Sequence, residues 1–281
     1  MKFEVNSSLS YTISSPSTLL LNIHALRSAR QTVIEELFTI EPYIRFEELN
    51  AIQGENRFTR LEITEPCDIS ITYKATVDNH FTSIDFTNLE EEPVSKLETS
   101  VFPYLYPSRY CQSDKLFRFA NTKFGNIANP FEKVVALTDW IYKNVEYLSG
   151  STNSQTSAYD TVTEQAGVCR DFAHLGIALC RALTIPARYF TGYAYQLNPP
   201  DFHACFEAYL GGNWILFDAT KLAPLNGLIK IATGRDAADS AVATIFGNVS
   251  CNTISVQCHT LEQNFEPLFY DPSKRSGLSY E

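Results

Sequence analysis

Three residues in the second half of the chain have the types that thiol-dependent acyl chemistry needs. Cys169 offers a thiol, His203 an imidazole and Asp218 a carboxylate, in that order along the chain. An imidazole activates a neighbouring cysteine as a nucleophile, and a carboxylate fixes the tautomer and orientation of the imidazole. The three residues are therefore candidates for a catalytic triad with a thiol nucleophile.

The cysteine lies at the start of a predicted helix. Apolar residues recur at helical spacing from Cys169 to Leu183, and Pro186 prevents the helix from continuing. The unpaired N–H groups and the dipole at a helix N-terminus favour a thiolate over a thiol. A free cysteine is also a common small core residue, and we assign that role to Cys180 on the same helix.

A predicted hairpin brings the histidine and the carboxylate together. Strand-like segments run over residues 202–210 and 214–219, and Gly211-Gly212 is a two-residue hairpin signal between them. With that loop, His203 and Asp218 share one face of the sheet as diagonal neighbours, roughly 7–8 Å apart between backbones. A three-residue loop would place Asp218 on the opposite face. The sequence therefore predicts an even-numbered loop.

Other residues that could do chemistry fit less well. His174 is five residues after Cys169 and so lies on a different face of the helix. The spacing of Cys251, Cys258 and His259 matches no common zinc pattern. We therefore predict no metal site, and the chain contains no nucleotide-binding loop that would indicate a cofactor.

The first third of the chain has the pattern of β-structure. Residues 68–77 alternate between polar and apolar side chains, which is typical of a half-buried strand. Three shorter segments rich in β-branched or aromatic residues are also strand candidates, at 19–23, 33–40 and 43–49. These segments predict a small antiparallel β-sandwich domain over residues 1–95, which ends in an acidic, proline-closed linker at 88–93.

From residue 96 onward the pattern changes to helices followed by strands. Ser113 is a candidate cap for a first helix, residues 129–132 combine a cap, a proline and a glutamate for a second, and Thr161 with Glu164 is a candidate cap for a short turn. Strand-like segments follow the cysteine helix, at 187–195, 202–210 and 214–219. This order predicts an α+β domain over residues 96–281.

The composition predicts a soluble globular protein with a sizeable core. Of 281 residues, 44% are hydrophobic and 19% are charged, and the net charge of -10 argues against nucleic acid or an anionic membrane as a partner. The apolar run at 19–21 is too short for a signal peptide or a membrane span. Seven cysteines without a C-x-x-C pair favour reduced thiols and a cytoplasmic location.

Several separate motifs resemble those of bacterial transglutaminase-like proteins, a branch of the papain-fold cysteine enzymes. The similar stretches lie between residues 104 and 256, at 167–175, 185–189, 202–209, 214–220 and 233–239. The resemblance implies a papain-like core, in which a nucleophile helix packs on an antiparallel sheet. The amino-terminal block resembles the β-domain that precedes this catalytic core in bacterial relatives.

One position departs from the family pattern. Many relatives carry tryptophan two positions after the catalytic histidine, where this chain has Cys205, a smaller and oxidisable residue. The main-chain N–H of Cys169 is a natural first donor to an oxyanion. The sequence does not identify the second donor, and Tyr110 and Tyr159 are candidates.

These features favour a cysteine-dependent hydrolase that acts on a peptide or protein amide through a thioester. Transglutaminase-type transfer to an amine shares the first half-reaction and differs only in whether water or an amine resolves the thioester. A third interpretation is a non-catalytic binding or scaffold protein that retains the fold. Cys205 is its one support in the sequence, and the complete triad weighs against it. The residues specify no oligomeric state.

Overall fold

The computed structural model describes residues 1–50 and 56–281. Within these ranges the chain forms antiparallel sheets of four, six and four strands, a parallel sheet of two short strands, and five α-helices. The sheets of four strands face each other as a sandwich, and the sheet of six strands carries the helices. This is the α+β arrangement predicted from the sequence.

Most strands of the sandwich come from the first third of the chain: β1 (Lys2–Ile13), β2 (Ser17–Leu21), β3 (Gln31–Glu41), β4 (Phe46–Asn50), β5 (Arg57–Ile63) and β6 (Cys67–Asn79). Along β1 and β6 every second residue is buried, so one face of each strand lines a common core. The predicted strand at 68–77 is confirmed as β6, and the three shorter candidates correspond to β2, β3 and β4 with shifted ends. The sequence analysis missed β1 and β5.

The helices lie in the second part of the chain: α1 (Ser113–Phe124), α2 (Pro130–Asn144), α3 (Ala158–Glu164), α4 (Cys169–Ala182) and α5 (Ala237–Ser240). The Asn129 side chain accepts a hydrogen bond from Glu132 N, so the predicted cap of α2 is confirmed. The predicted cap at Thr161 is wrong. Ser157 N and Oγ donate to Asp160 there, so α3 begins one turn earlier.

The sheet that carries the helices has six strands: β7 (Thr82–Asp85), β10 (Ala187–Ala194), β11 (Phe202–Leu210), β12 (Asn213–Phe217), β13 (Leu228–Gly234) and β16 (Ser276–Ser279). Their order is β13-β10-β11-β12-β16-β7. The helix α4 packs on β11 through Gly176, where an added Cβ would meet Phe206 Cε1 at 2.5 Å. Because no side chain separates the two elements there, the helix lies close to the sheet.

Four further strands complete the fold: β8 (Glu146–Tyr147), β9 (Ala166–Gly167), β14 (Ala243–Phe246) and β15 (Val249–Thr260). β14 pairs with β2 and β15 pairs with β1, so the chain returns to the sandwich after the six-stranded sheet. In the other direction, β7 leaves the first third of the chain and pairs with β16. The division of the chain at residue 95 stays a prediction. Strands from each side of this boundary pair with strands from the other side.

All seven cysteines lie in the described ranges, and none forms a disulfide. Among the helices of residues 1–50 and 56–281, none is both long enough and apolar enough to cross a membrane. The cytoplasmic location stays a prediction.

Candidate active site

The candidate nucleophile is the first residue of α4. Cys169 is partly exposed, and the preceding residue, Val168, has an extended backbone. Val168 N donates to the buried carboxylate of Asp171 at 3.0 Å, which fixes the first turn of the helix. Since the N–H groups of a first turn lack partners within the helix, this position stabilises negative charge on the Cys169 sulfur.

The far end of α4 is anchored by a buried arginine. Arg181 donates to the main-chain oxygens of Ala187 and Arg235, at 2.8 and 2.6 Å through Nη2. Together with the close packing at Gly176, these bonds hold the helix against the sheet at its middle and its end. The packing of α4 on the sheet therefore sets where the backbone of Cys169 lies.

The hairpin between β11 and β12 has the predicted two-residue loop. Leu210 pairs with Asn213, and both glycines of the loop have positive φ, 56° at Gly211 and 80° at Gly212. Positive φ at both positions is the geometry of a hairpin turn that glycine adopts without strain. The even-numbered loop is confirmed.

The hairpin brings the histidine and the carboxylate into direct contact. His203 Nε2 lies 2.9 Å from Asp218 Oδ2, and both side chains are buried. The other carboxylate oxygen, Oδ1, accepts from Thr220 N at 2.8 Å and from Thr220 Oγ1 at 2.7 Å. Burial acts to raise the pKa of Asp218, but His203 and Thr220 act against it and hold that pKa below its usual value. The ionised carboxylate only accepts hydrogen bonds, so Nε2 carries the proton.

The second ring nitrogen of His203 is turned away from Asp218. Nδ1 is buried and makes no hydrogen bond to any of the described residues. Burial acts to lower the pKa of His203, whereas Cys205 and Asp218 act to raise it. The thiol of Cys169 also raises it, and the net pKa lies well above the usual value. The ring therefore favours the imidazolium form.

Cys205 lies beside this pair inside the sheet. Burial raises the pKa of Cys205 to about 12, and the charge of Asp218 adds to the effect, so the residue is a neutral thiol at neutral pH. Its sulfur, a ring nitrogen of His203 and a carboxylate oxygen of Asp218 lie within 4.8 Å of one another. Within residues 1–50 and 56–281 this is the one group with the spacing of metal ligands. The imidazole and the carboxylate are already paired, and the absence of a metal stays a prediction.

The tyrosines predicted as oxyanion donors are placed differently. The Tyr110 hydroxyl donates to Ser154 O at 2.8 Å, and the Tyr110 ring stacks on His174. Tyr159 lies on α3 and is half-exposed, with its ring near the ammonium of Lys115. The sequence analysis missed Tyr147 on β8, which pairs with Gly167, two residues before Cys169. A two-residue strand carries no recognisable periodicity, so nothing in the local sequence indicated this contact.

His174 has a structural role. Its ring is buried between Tyr110 and Tyr189, at 4.9 and 5.0 Å between ring centroids. Its Nε2 accepts from Ala237 N at 3.1 Å, which ties α4 to α5. Burial holds the pKa of His174 well below its usual value, so the ring stays neutral.

Two family models match this chain at the regions just described. The model of the bacterial transglutaminase N-terminal domain matches residues 1–100, and the model of the transglutaminase-like superfamily core matches residues 118–219. A solved structure from Cytophaga hutchinsonii, titled a "putative cysteine protease", is 59% identical and covers 100% of this chain and 98% of its own, with a TM-score of 0.98. The chain belongs to the transglutaminase-like superfamily. The resemblance read from the motifs is thereby confirmed.

This chain is also similar to two mycobacterial proteins. An uncharacterised protein of Mycobacterium leprae is 25% identical over 257 residues, which cover 85% of this chain and 91% of that protein. An uncharacterised protein of Mycobacterium tuberculosis is 41% identical over 64 residues, 23% of this chain and 20% of its own length. The matched core spans Cys169, His203 and Asp218, whose catalytic role stays a prediction.

Proposed function

We propose that this protein is a cysteine hydrolase that cleaves a peptide or protein amide through a thioester on Cys169. The observation that carries the proposal is the buried His203–Asp218 pair, which leaves one ring nitrogen free beside a thiol at a helix N-terminus. The likeness to a protein titled a cysteine protease, over nearly the whole of both chains, supports the same reaction class.

The first half-reaction uses the charges of the site directly. The Cys169 sulfur bonds to the carbonyl carbon of the substrate, and the carbonyl electron pair moves onto oxygen. When the carbonyl re-forms, the carbon–nitrogen bond breaks, and His203 gives its Nδ1 proton to the departing amine. Asp218 keeps the ring oriented and stabilises its charged form before the proton leaves.

The second half-reaction decides between hydrolysis and transfer. His203 is now neutral, so it takes a proton from water as the water attacks the thioester carbon, and the Cys169 sulfur departs. An amine could attack the same carbon, which would make the protein a transglutaminase. Cys169 is partly exposed, and water is the more abundant nucleophile, so hydrolysis is the reaction we propose.

Two assays on fluorescent casein distinguish the outcomes. Release of labelled peptides reports hydrolysis, and incorporation of dansylcadaverine reports transfer. We expect peptide release by the wild-type protein and none by Cys169→Ala. Cys251→Ser is the matched control because Cys251 is an exposed thiol outside the site, and it should retain full activity.

A reagent that needs no substrate recognition tests the binding-protein alternative. Iodoacetamide at mildly acidic pH should alkylate Cys169 faster than the other six cysteines, as mapped by mass spectrometry. Cys251 should react slowly, although it is exposed, because partial desolvation of its thiol raises its pKa. Uniform or absent labelling, together with no turnover of casein, would favour a scaffold that retains the fold and would contradict the proposed hydrolase.

A further inference from the structure

Cys205 shares a face of the six-stranded sheet with the proposed catalytic histidine. It lies two positions after His203 on β11, and side chains two positions apart on a strand point to the same side. Phe206 pairs with Phe217, which places Cys205 beside Asp218, the residue that follows β12. The strands therefore bring a thiol, an imidazole and a carboxylate together on one face.

The spacing of these three groups is close to that of a metal site. Their ligand atoms, one from each residue, lie within 4.8 Å of one another. Zinc binds sulfur, nitrogen and oxygen ligands at about 2.0–2.3 Å, so the ligand atoms on one ion lie roughly 3–4 Å apart. A small closing movement would bring His203, Cys205 and Asp218 onto one ion.

The surroundings of the group exclude solvent and allow that movement. His203 and Cys205 are each 1% exposed, and Asp218 is fully buried. Nδ1 of His203 makes no hydrogen bond to any residue that the structure describes, and Nε2 bonds to Asp218. The ring can therefore shift toward an ion without breaking a second hydrogen bond.

The charges of the group match a divalent cation. A thiolate on Cys205 and the carboxylate of Asp218 carry two negative charges, which a divalent ion balances, and a buried charge is costly unless it is balanced. Glu207 is the next residue on this face, but Arg188 and Lys230 already pair with it. The carboxylate of Glu207 therefore neither adds charge to the group nor competes for the ion.

We propose that His203, Cys205 and Asp218 form a binding site for Zn²⁺ or a similar divalent transition-metal ion that inhibits the protein. Zinc accepts all three ligand types, whereas Mg²⁺ and Ca²⁺ prefer oxygen ligands. As the ion binds, the Cys205 thiol and the His203 ring each release one proton to solvent, and water fills the fourth position. The ion is an inhibitor and not the cofactor whose absence the sequence predicts.

Inhibition follows from the loss of the imidazolium. A ring that is bound to the ion can no longer give a proton to the departing amine, and Asp218 can no longer stabilise the charged ring. Inhibition therefore rests on the proposed function, whereas binding of the ion does not. The two are measured separately.

Cobalt reports on binding directly, because coordination of Co²⁺ by a thiolate gives an intense near-ultraviolet absorption. We expect one Co²⁺ per chain in the wild-type protein, and added Zn²⁺ should displace it and abolish the absorption. Cys169→Ala should keep the absorption because Cys169 lies outside the group of three ligands. Cys205→Ser and Cys205→Ala should lose it, with circular dichroism to show that each variant is folded. Cys251→Ser, which removes an exposed thiol, is the matched control and should bind Co²⁺ like the wild type.

The release of p-nitrophenol from p-nitrophenyl acetate reports on inhibition, since the initial burst measures acylation of Cys169. We expect Zn²⁺ to suppress the burst of the wild-type protein, EDTA to restore it, and Mg²⁺ to have no effect. The onset should be slow because the ligands are buried. Half-suppression of the burst of Cys205→Ser should need a Zn²⁺ concentration higher by about 10²-fold.

Three results would overturn the inference. The wild-type protein could show no Co²⁺–thiolate absorption at all. The absorption could be lost in Cys169→Ala and kept in Cys205→Ser, which would place the ion on the nucleophile. It could also be kept in both variants, which would mean adventitious binding at other thiols. Failure of the proposed function is distinct from these results, because it would appear as the absence of a burst from metal-free wild-type protein.

Discussion

The carboxylate of Asp218 is held ionised inside the protein by hydrogen bonds from His203 and Thr220. A buried carboxylate is costly unless it is paired, and here its partner is an imidazole that gains charge during the proposed reaction. The pair therefore does two things at once. It offsets the free-energy cost of burying the Asp218 carboxylate. It also raises the pKa of His203 well above the usual value, although the ring is buried.

The substitution Asp218→Asn tests this electrostatic role. An asparagine keeps the shape and removes the charge, so the pKa of His203 falls and the imidazolium form persists only to a lower pH. We expect kcat/KM for casein to fall by about 10²- to 10⁴-fold and its alkaline limb to move to lower pH.

Asp201→Asn is the control for a general loss of negative charge. Asp201 also lies near His203, but it is solvent-exposed and bonds to Phe202 N rather than to the imidazole. The alkaline limb of the kcat/KM profile should therefore move much less in Asp201→Asn than in Asp218→Asn. Equal shifts in the two variants would mean that the ring responds to overall charge and not to its paired carboxylate.

At the scale of elements, the distance between Cys169 and His203 depends on how closely α4 packs against β11. Gly176→Ala would place a Cβ 2.5 Å from Phe206 Cε1, inside a part of the core that is already filled. Overpacking of this kind costs about 1–3 kcal/mol, and we expect a matching loss in the free energy of unfolding measured with urea. The burst of p-nitrophenol from p-nitrophenyl acetate, which measures acylation of Cys169, should also slow, because the helix start moves away from His203.

A double-mutant cycle identifies the contact responsible. Phe206→Leu shortens the side chain that the new methyl group meets, so it should partly rescue Gly176→Ala. The double variant should then be more stable than the sum of the two single changes predicts. Strict additivity would show that the glycine matters for a reason other than its contact with Phe206.

The elements that could be predicted are those whose sequence pattern lies within the element itself. Apolar spacing and Pro186 define α4, the two glycines define the hairpin, and alternation defines β6. The strand β1 carried the same alternation, from Phe3 to Ile13, but the serines within it made the segment look polar. Its Ser7 is buried because its hydroxyl bonds to that of Tyr193, a partner far away in the chain.

Pairings between distant segments could not be predicted. Nothing near residue 147 indicates that β8 pairs with β9, so the sequence could not predict that Tyr147 lies beside Gly167, close to the start of α4. The return of β14 and β15 to the sandwich depends likewise on partners more than half the chain away. The triad residues could be predicted because two of them share one hairpin and the third begins a helix.

At the scale of the molecule, the two halves share a core. Residues of β10 and β13, including Tyr193 and Ile231, pack among the sandwich side chains. The Tyr193 hydroxyl bonds to Ile23 O at 2.7 Å, and the Gln31 side chain bonds to both main-chain groups of Lys230. Unfolding either half would expose apolar surface of the other.

We therefore expect both halves to unfold in one cooperative transition. Two buried cysteines report on them separately, since Cys258 lies in the core of the sandwich and Cys180 lies on the buried side of α4. Brief alkylation at increasing urea concentrations, read by mass spectrometry, should label both with the same midpoint. The exposed Cys251 should be labelled at every concentration and serves as the reference. Labelling of one buried cysteine at a lower midpoint than the other would mean that the crossing strands do not couple the two halves, and that the boundary near residue 95 separates independent folding units.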